Sequence, residues 1–223
     1  MCIFLALPTA TWYLLWSNRD EQITRATDIE VTRDSARTCS YVKDLVSGGT
    51  WLAVHENWIY AVLLNAPSLG TAGPFATRGM MALRVMERCT AWNNLSILTT
   101  KIQQELPRET YRSCIFAIGG MQENILQHTV FTRQTQTKQL TNQAHTWSLF
   151  LSSPNLYSAD GHDKRAQEST RVVPTTESLK TFMSSHIYDV HNPLCIVEDN
   201  VGTRSTSIIT VDEHVRYAYE IRA

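Results

Sequence analysis

MCIFLALPTATWYLLWSNRDE, residues 1–21, holds two short apolar runs, 2–7 and 12–17, separated by Pro8-Thr9-Ala10-Thr11. Polar residues do not alternate within either run, so each reads as a strand buried on both faces. A helix would need a longer run without the proline. A hairpin closing near Thr9-Ala10 sets Cys2 opposite Ser17 or Asn18. It also returns Asn18-Arg19-Asp20-Glu21 to the neighbourhood of Cys2. On a regular strand Asn18 and Asp20 share one face, and Arg19 and Glu21 the other. Arg19 and Asp20 therefore both aim at Cys2 only if the strand bends or bulges. A signal peptide is the competing reading. No Lys or Arg precedes the apolar part, however, and Pro8 cuts it in two.

The rest of the chain frames this hairpin. Its 223 residues fit one domain, 1–223, large enough to bury a sizeable core. Apolar residues make up 43% and charged residues 18%, a globular balance, and the net charge of -1 gives no bias toward nucleic acid. No apolar run reaches the roughly 18 residues of a spanning helix. The five cysteines form no C-x-x-C pair, which argues against a disulfide framework or a thiolate zinc site and favours a reducing, cytoplasmic setting. His186 and His191 do not stack on a helix face, and Asp160, His162 and Asp163 share a loop. Neither set has metal-ligand spacing. Neither a metal nor another cofactor is expected.

Residues 22–47 read as a long loop with at most one short element. Strands are expected at 50–55 and 58–64, joined by Glu56-Asn57. The glycines of NAPSLGTAGPFATRG have no phosphate-loop spacing and read as turns. Helices are expected at 76–90 and 94–106, the second ended by Pro107. Asn94-Leu95-Ser96 fits a glycosylation pattern, but on a helix it reads as coincidence. Further strands are expected at 113–119, 124–132, 137–141 and 145–152. A loop follows, then a helix at 176–185 opened by Thr175 or Thr176. The chain closes in a hairpin around Asp212-Glu213-His214. Strand blocks flanking a helix pair indicate an α+β layered fold, with sheets inside and helices outside.

Cys2 has two readings. As a lone cysteine in an apolar strand it is a small buried hydrophobe. With Met1 removed it carries a thiol and an α-amine, with reference pKa values of about 8.5 and about 8. The amine then accepts the thiol proton, so one residue supplies nucleophile and base. Arg19 favours the thiolate, and Asp20 is the candidate to hold the amine. The bland reading of Asn18-Arg19-Asp20-Glu21 is a polar strand end and turn. Asn65, at the end of AVLLN, is either a turn asparagine or a donor to a developing oxyanion.

MC at the start, SNRDE at 17–21, GGTWLAV at 48–54, AVLLN at 61–65 and GTRSTS at 202–207 resemble, in that order, the NRDE family, which includes the transport-and-Golgi-organisation protein. The resemblance implies an N-terminal nucleophile hydrolase-like fold, a four-layer αββα sandwich. Related enzymes include bile salt hydrolases and penicillin V acylases, which cleave amide bonds. By position, Cys2 resembles their nucleophile and Asp20 the residue that holds its amine. Asn65 resembles the oxyanion-hole asparagine, and Arg204 the late arginine near the nucleophile. Arg19 joins this set, although the hydrolases space their arginine and aspartate further apart. Asn18 and Asn155 are candidate substrate contacts. Ala26 stands where the family commonly has proline, and Ser153 stands near the position of a second oxyanion donor. The implied function is hydrolysis of an amide or thioester through an acyl-Cys2 intermediate. The alternative is a non-catalytic protein that binds or traffics haem or acyl-lipid in connection with secretory-pathway organisation. The expected partner is thus a small acyl or haem-like ligand, with no nucleic acid. Family resemblance adds Golgi or mitochondrial association to the cytoplasmic expectation.

Overall fold

Among the described residues, twelve strands and three helices carry the fold in the computed structural model. It describes residues 2–9, 12–22, 24–66, 77–89, 94–105, 112–123, 125–133, 140–146, 148–152, 166–183 and 201–221. The chain divides into two units, Met1–Arg25 with Trp147–Ala223, and Ala26–Thr146.

In the first unit, β1 (Cys2–Pro8) and β2 (Tyr13–Gln22) form the opening hairpin, and β10 (Leu149–Ser152), β11 (Val201–Val211) and β12 (Val215–Ile221) complete an antiparallel sheet in the order β10-β1-β2-β11-β12. Both opening strands are buried along nearly their whole length, which is why neither alternates in sequence. One face carries Ile3, Leu5, Leu7, Leu14, Trp16, Phe150 and Ile208. It packs against Leu179 and Phe182 of α3 (Thr176–Met183), and against Ala166 and Val172 in and beside a helical turn at 166–169. Thr175 caps α3: its hydroxyl accepts the Ser178 N–H at 3.2 Å.

The hairpin register corrects the sequence expectation. Beyond the paired strands, Thr9 N–H donates to the Trp12 carbonyl at 2.7 Å and Trp12 N–H to the Thr9 hydroxyl at 2.9 Å. The last pair is Pro8 with Tyr13, so Cys2 falls opposite Arg19, not Ser17 or Asn18. The turn is centred about one residue later than a symmetric closure at Thr9-Ala10.

The second unit is a seven-stranded antiparallel sheet with strands in sequence order: β3 (Thr27–Asp34), β4 (Cys39–Asp44), β5 (Leu52–His55), β6 (Ile59–Asn65), β7 (Cys114–Gln122), β8 (Ile125–Arg133) and β9 (Leu140–Thr146). Helices α1 (Gly79–Cys89) and α2 (Leu95–Glu105) cover one face through Met81, Val85, Met86, Leu98 and Ile102. The expected long loop at 22–47 is instead the β3–β4 hairpin. Its polar residues belong to the sheet edge, and Cys39 and Tyr41 on one face of β4 and Val42 on the other are buried. Strand β6 starts at Ile59, not Trp58, because Trp58 has a φ of 61° in the hairpin turn. Asn94 is the α2 cap, its side-chain oxygen accepting the Ser96 and Ile97 N–H groups at 3.0 and 3.2 Å. Among the described residues no helix is long and apolar enough to cross a membrane.

In GGTWLAV the two glycines serve different ends: Gly48 has a φ of 73° with open space around it, and Gly49 allows a close approach. A Cβ on Gly49 would sit 2.5 Å from the Gly79 carbonyl carbon, and one on Gly79 would sit 2.8 Å from Thr50 N. The bare backbones let Thr50 N–H reach the Gly79 carbonyl at 3.2 Å, tying the start of α1 to the start of β5. We expect Gly49→Ala and Gly79→Ala each to destabilise the protein by about 1–3 kcal/mol, because backbone must shift rather than a side chain. Urea unfolding measures this; a loss under about 0.5 kcal/mol would show the contact to be soft.

Candidate active site

Three neighbouring strands, β1, β2 and β11, end together, and most residues singled out by sequence lie at that end. Cys2 pairs with Arg19 across β1 and β2, so the two share a face, opposite the one that α3 covers. Arg19 in turn pairs with Ser205 of β11. All three are buried. Glu21, two residues on, lies 3.8 Å from the Arg19 guanidinium and 3.7 Å from that of Arg25.

The other face is organised by a bulge. Along β2 and β11, Asn18 pairs with Thr206, Arg19 with Ser205, and Asp20 with Thr203. Arg204 is the extra residue where the register shifts. The extra residue lets Thr203 and Thr206, three apart, match Asp20 and Asn18, two apart. The Thr203 hydroxyl donates to Asp20 Oδ1 at 2.6 Å, and the Thr206 hydroxyl donates to Asn18 Oδ1 at 2.9 Å. Asn18 Oδ1 also accepts the Trp16 indole N–H at 2.8 Å. The SNRDE and GTRSTS motifs therefore interlock through buried hydrogen bonds.

The electrostatics follow from burial. Burial raises the Cys2 thiol pKa. The positive amino terminus opposes this, Asp20 adds to the rise, and Arg19 and an Asp20 backbone hydrogen bond lower it. Burial also pushes Asp20 up to about 7, against the Thr203 hydrogen bond and the amino terminus, which both favour the carboxylate. Asp20 thus sits between its two protonation states at neutral pH.

The sequence-selected residues separate as follows. Cys2, Arg19, Asp20 and the backbone of Arg204 come together at the strand ends. Asn18 is fully buried, its side-chain carbonyl engaged by Trp16 and Thr206. Asn65 ends β6 in the second unit. There it pairs with Cys114 and, by register, lies on the face of Leu63. Asn155 and Ser153 lie outside the described residues. Sequence reasoning missed Thr203 and Thr206; their hydroxyls were visible in GTRSTS, but only a bulge lets their three-residue spacing match Asn18 and Asp20. Among the described residues no three His, Cys, Asp or Glu side chains converge as a metal site.

Two outcomes follow. Replacing Asn18 by Ala should cost more than about 2 kcal/mol, because it strips the acceptor from two buried donors at about 1–3 kcal/mol each. Denaturant unfolding of Asn18→Ala checks this. For Asp20, the unfolded carboxyl loses its proton near pH 4, whereas the folded one holds it to about 7. Its contribution to stability is therefore full below about pH 4 and is lost as pH rises through 7. Asp20→Asn should be more stable than wild type at pH 8, by up to about 4 kcal/mol at roughly 1.4 kcal/mol per pKa unit. The gap should shrink steadily toward pH 4. A pH-independent gap in unfolding free energy would contradict the burial of this carboxyl.

The family model described as Transport and Golgi organisation 2 matches residues 1–154. No curated protein matches in sequence. Among solved structures, the Caenorhabditis elegans N-acylethanolamine-hydrolyzing acid amidase ortholog is similar, with a TM-score of 0.54 at 10% identity over 94% of this chain and 92% of that one. The α+β fold is that of the N-terminal nucleophile hydrolases. With its family model spanning most of the chain and including Cys2, SNRDE, GGTWLAV and AVLLN, this protein belongs to the Transport and Golgi organisation 2 family.

Proposed function

We propose that this protein is an N-terminal-cysteine hydrolase that cleaves an amide or thioester through an acyl-Cys2 intermediate. The observation that carries the reading is the register: Cys2 lies directly across from Arg19, beside the Asp20–Thr203 pair, at one end of three strands. When the chain begins at Cys2, the α-amine takes the thiol proton and Sγ attacks the substrate carbonyl carbon. The tetrahedral oxyanion collapses and expels the leaving amine or thiol, which takes the proton. Water then attacks the Cys2 thioester, releasing the acid and restoring the thiol. Asp20 holds the amine, while Arg19 and Arg204 supply positive charge at the site. Asn65 is assigned the oxyanion donor role, and Asn18 and Asn155 the substrate contacts. The two units act as one domain, a reading supported by a similarity to the amidase that spans both.

A second reading has its own support. Burial of Cys2 holds its proton on, which suits a protein that binds an acyl or haem-like ligand without turnover.

Intact mass shows whether the mature chain starts at Cys2; retention of Met1 would end the hydrolase reading, since Cys2 then has no amine. In protein starting at Cys2, an acyl-transferring thiol probe should label Cys2 at least about tenfold faster than the other cysteines. That ratio corresponds to about 1.4 kcal/mol of barrier. Cys2→Ala should abolish this labelling. Uniform labelling, together with acyl-CoA or haem affinity unchanged by Cys2→Ala, would favour the binding reading.

A further inference from the structure

We propose that Thr203 is a positioning residue of the Cys2 site: its hydroxyl fixes the Asp20 carboxyl and, through it, the α-amine of Cys2. The proposal rests on the hydrolase reading above and adds a residue to it. Four observations carry it. The Thr203 hydroxyl donates to Asp20 Oδ1 at 2.6 Å. Thr203 and Asp20 are both buried, at 5% and 1% exposure, so water does not compete for the bond. The two residues are direct cross-strand partners, so the bond sits on the ladder itself. Finally, the register shifts immediately after Thr203, at Arg204. Without that bulge, Thr203 and Thr206, three apart, would alternate to opposite faces, and only one of them would reach the Asn18–Asp20 side.

The amino terminus acts on Asp20, and the Cys2 thiol lies at the start of the neighbouring β1. Arg19 and Glu21 flank it on β2, and Arg204 occupies the bulge on β11. On the elements covering its sheet face, Glu177 and Lys180 of α3 are exposed, and Glu168 of the helical turn is half-buried. The Thr203 hydrogen bond favours the carboxylate form of Asp20. Removing its hydroxyl therefore leaves burial less opposed, and Asp20 keeps its proton to higher pH.

The test uses protein starting at Cys2, with p-nitrophenyl butyrate as the acyl donor, and follows acyl-Cys2 formation by mass across pH 5–9. Titration of Asp20 by carbon-13 NMR runs alongside. Thr203→Val keeps the shape and removes the donor, whereas Thr203→Ser keeps the donor. We expect Thr203→Val to move both the Asp20 midpoint and the acid limb of acylation up by about one to two pH units, the range for a lost hydrogen bond to a charged group. Thr203→Ser should restore both. If wild type and Thr203→Val share the same acid limb, the proposal is overturned while the hydrolase reading stands. An Asp20 midpoint that moves without the acid limb likewise overturns it. Wild type that forms no acyl-Cys2 overturns the hydrolase reading, and the proposal with it, whatever the titration shows. Should Thr203→Val fold poorly, Thr203→Ala and Thr203→Ser decide the same question by the presence or absence of the hydroxyl.

Discussion

The one-residue bulge at Arg204 is the constraint on which the candidate site depends. A β-ladder without it would pair residues two apart with residues two apart, and the face of each side chain would be set by parity alone. The extra residue changes parity once, between Thr203 and Ser205. Above the shift, Ser205 lies with Arg19 on the Cys2 face. Across it, Thr203 and Thr206 both reach the opposite face and hold Asp20 and Asn18. Two polar motifs nearly two hundred residues apart in sequence are thereby joined inside one sheet.

That junction has an energetic logic. Asn18, Arg19 and Asp20 are all buried, and buried polar groups are tolerated only when their hydrogen-bonding and charge requirements are met. Threonine hydroxyls donate to Asp20 Oδ1 and Asn18 Oδ1 on one face of β2, and the Glu21 carboxylate answers Arg19 on the other. The arrangement leaves Asp20 poised near neutrality instead of fully ionised. A carboxyl in that condition responds to small changes in its surroundings.

In the second unit the same economy appears as backbone contact. Gly49 and Gly79 give up side chains so that β5 and α1 can start against each other. The apolar face of the sheet is then covered, through Met81, Val85, Leu98 and Ile102, by two short helices whose existence was readable from periodicity. The β3–β4 hairpin was not readable, because an edge strand with one solvated side carries too few apolar residues to stand out from loop.

Local pattern in the sequence determined the opening hairpin, the two central helices, the closing hairpin and the return of Asn18-Arg19-Asp20-Glu21 toward Cys2. These follow from runs of apolar residues and from proline, both of which act over a few residues. Tertiary structure alone decided that Arg19, and not Ser17 or Asn18, faces Cys2, since that depended on where a loop of a few residues closes. It alone showed Asn18 as a buried knot between Trp16 and Thr206, and Thr203 as the partner of Asp20. The physical reason is parity: in a β-sheet one inserted residue sends every following side chain to the other face, and no window of sequence records which partner strand contains the insertion.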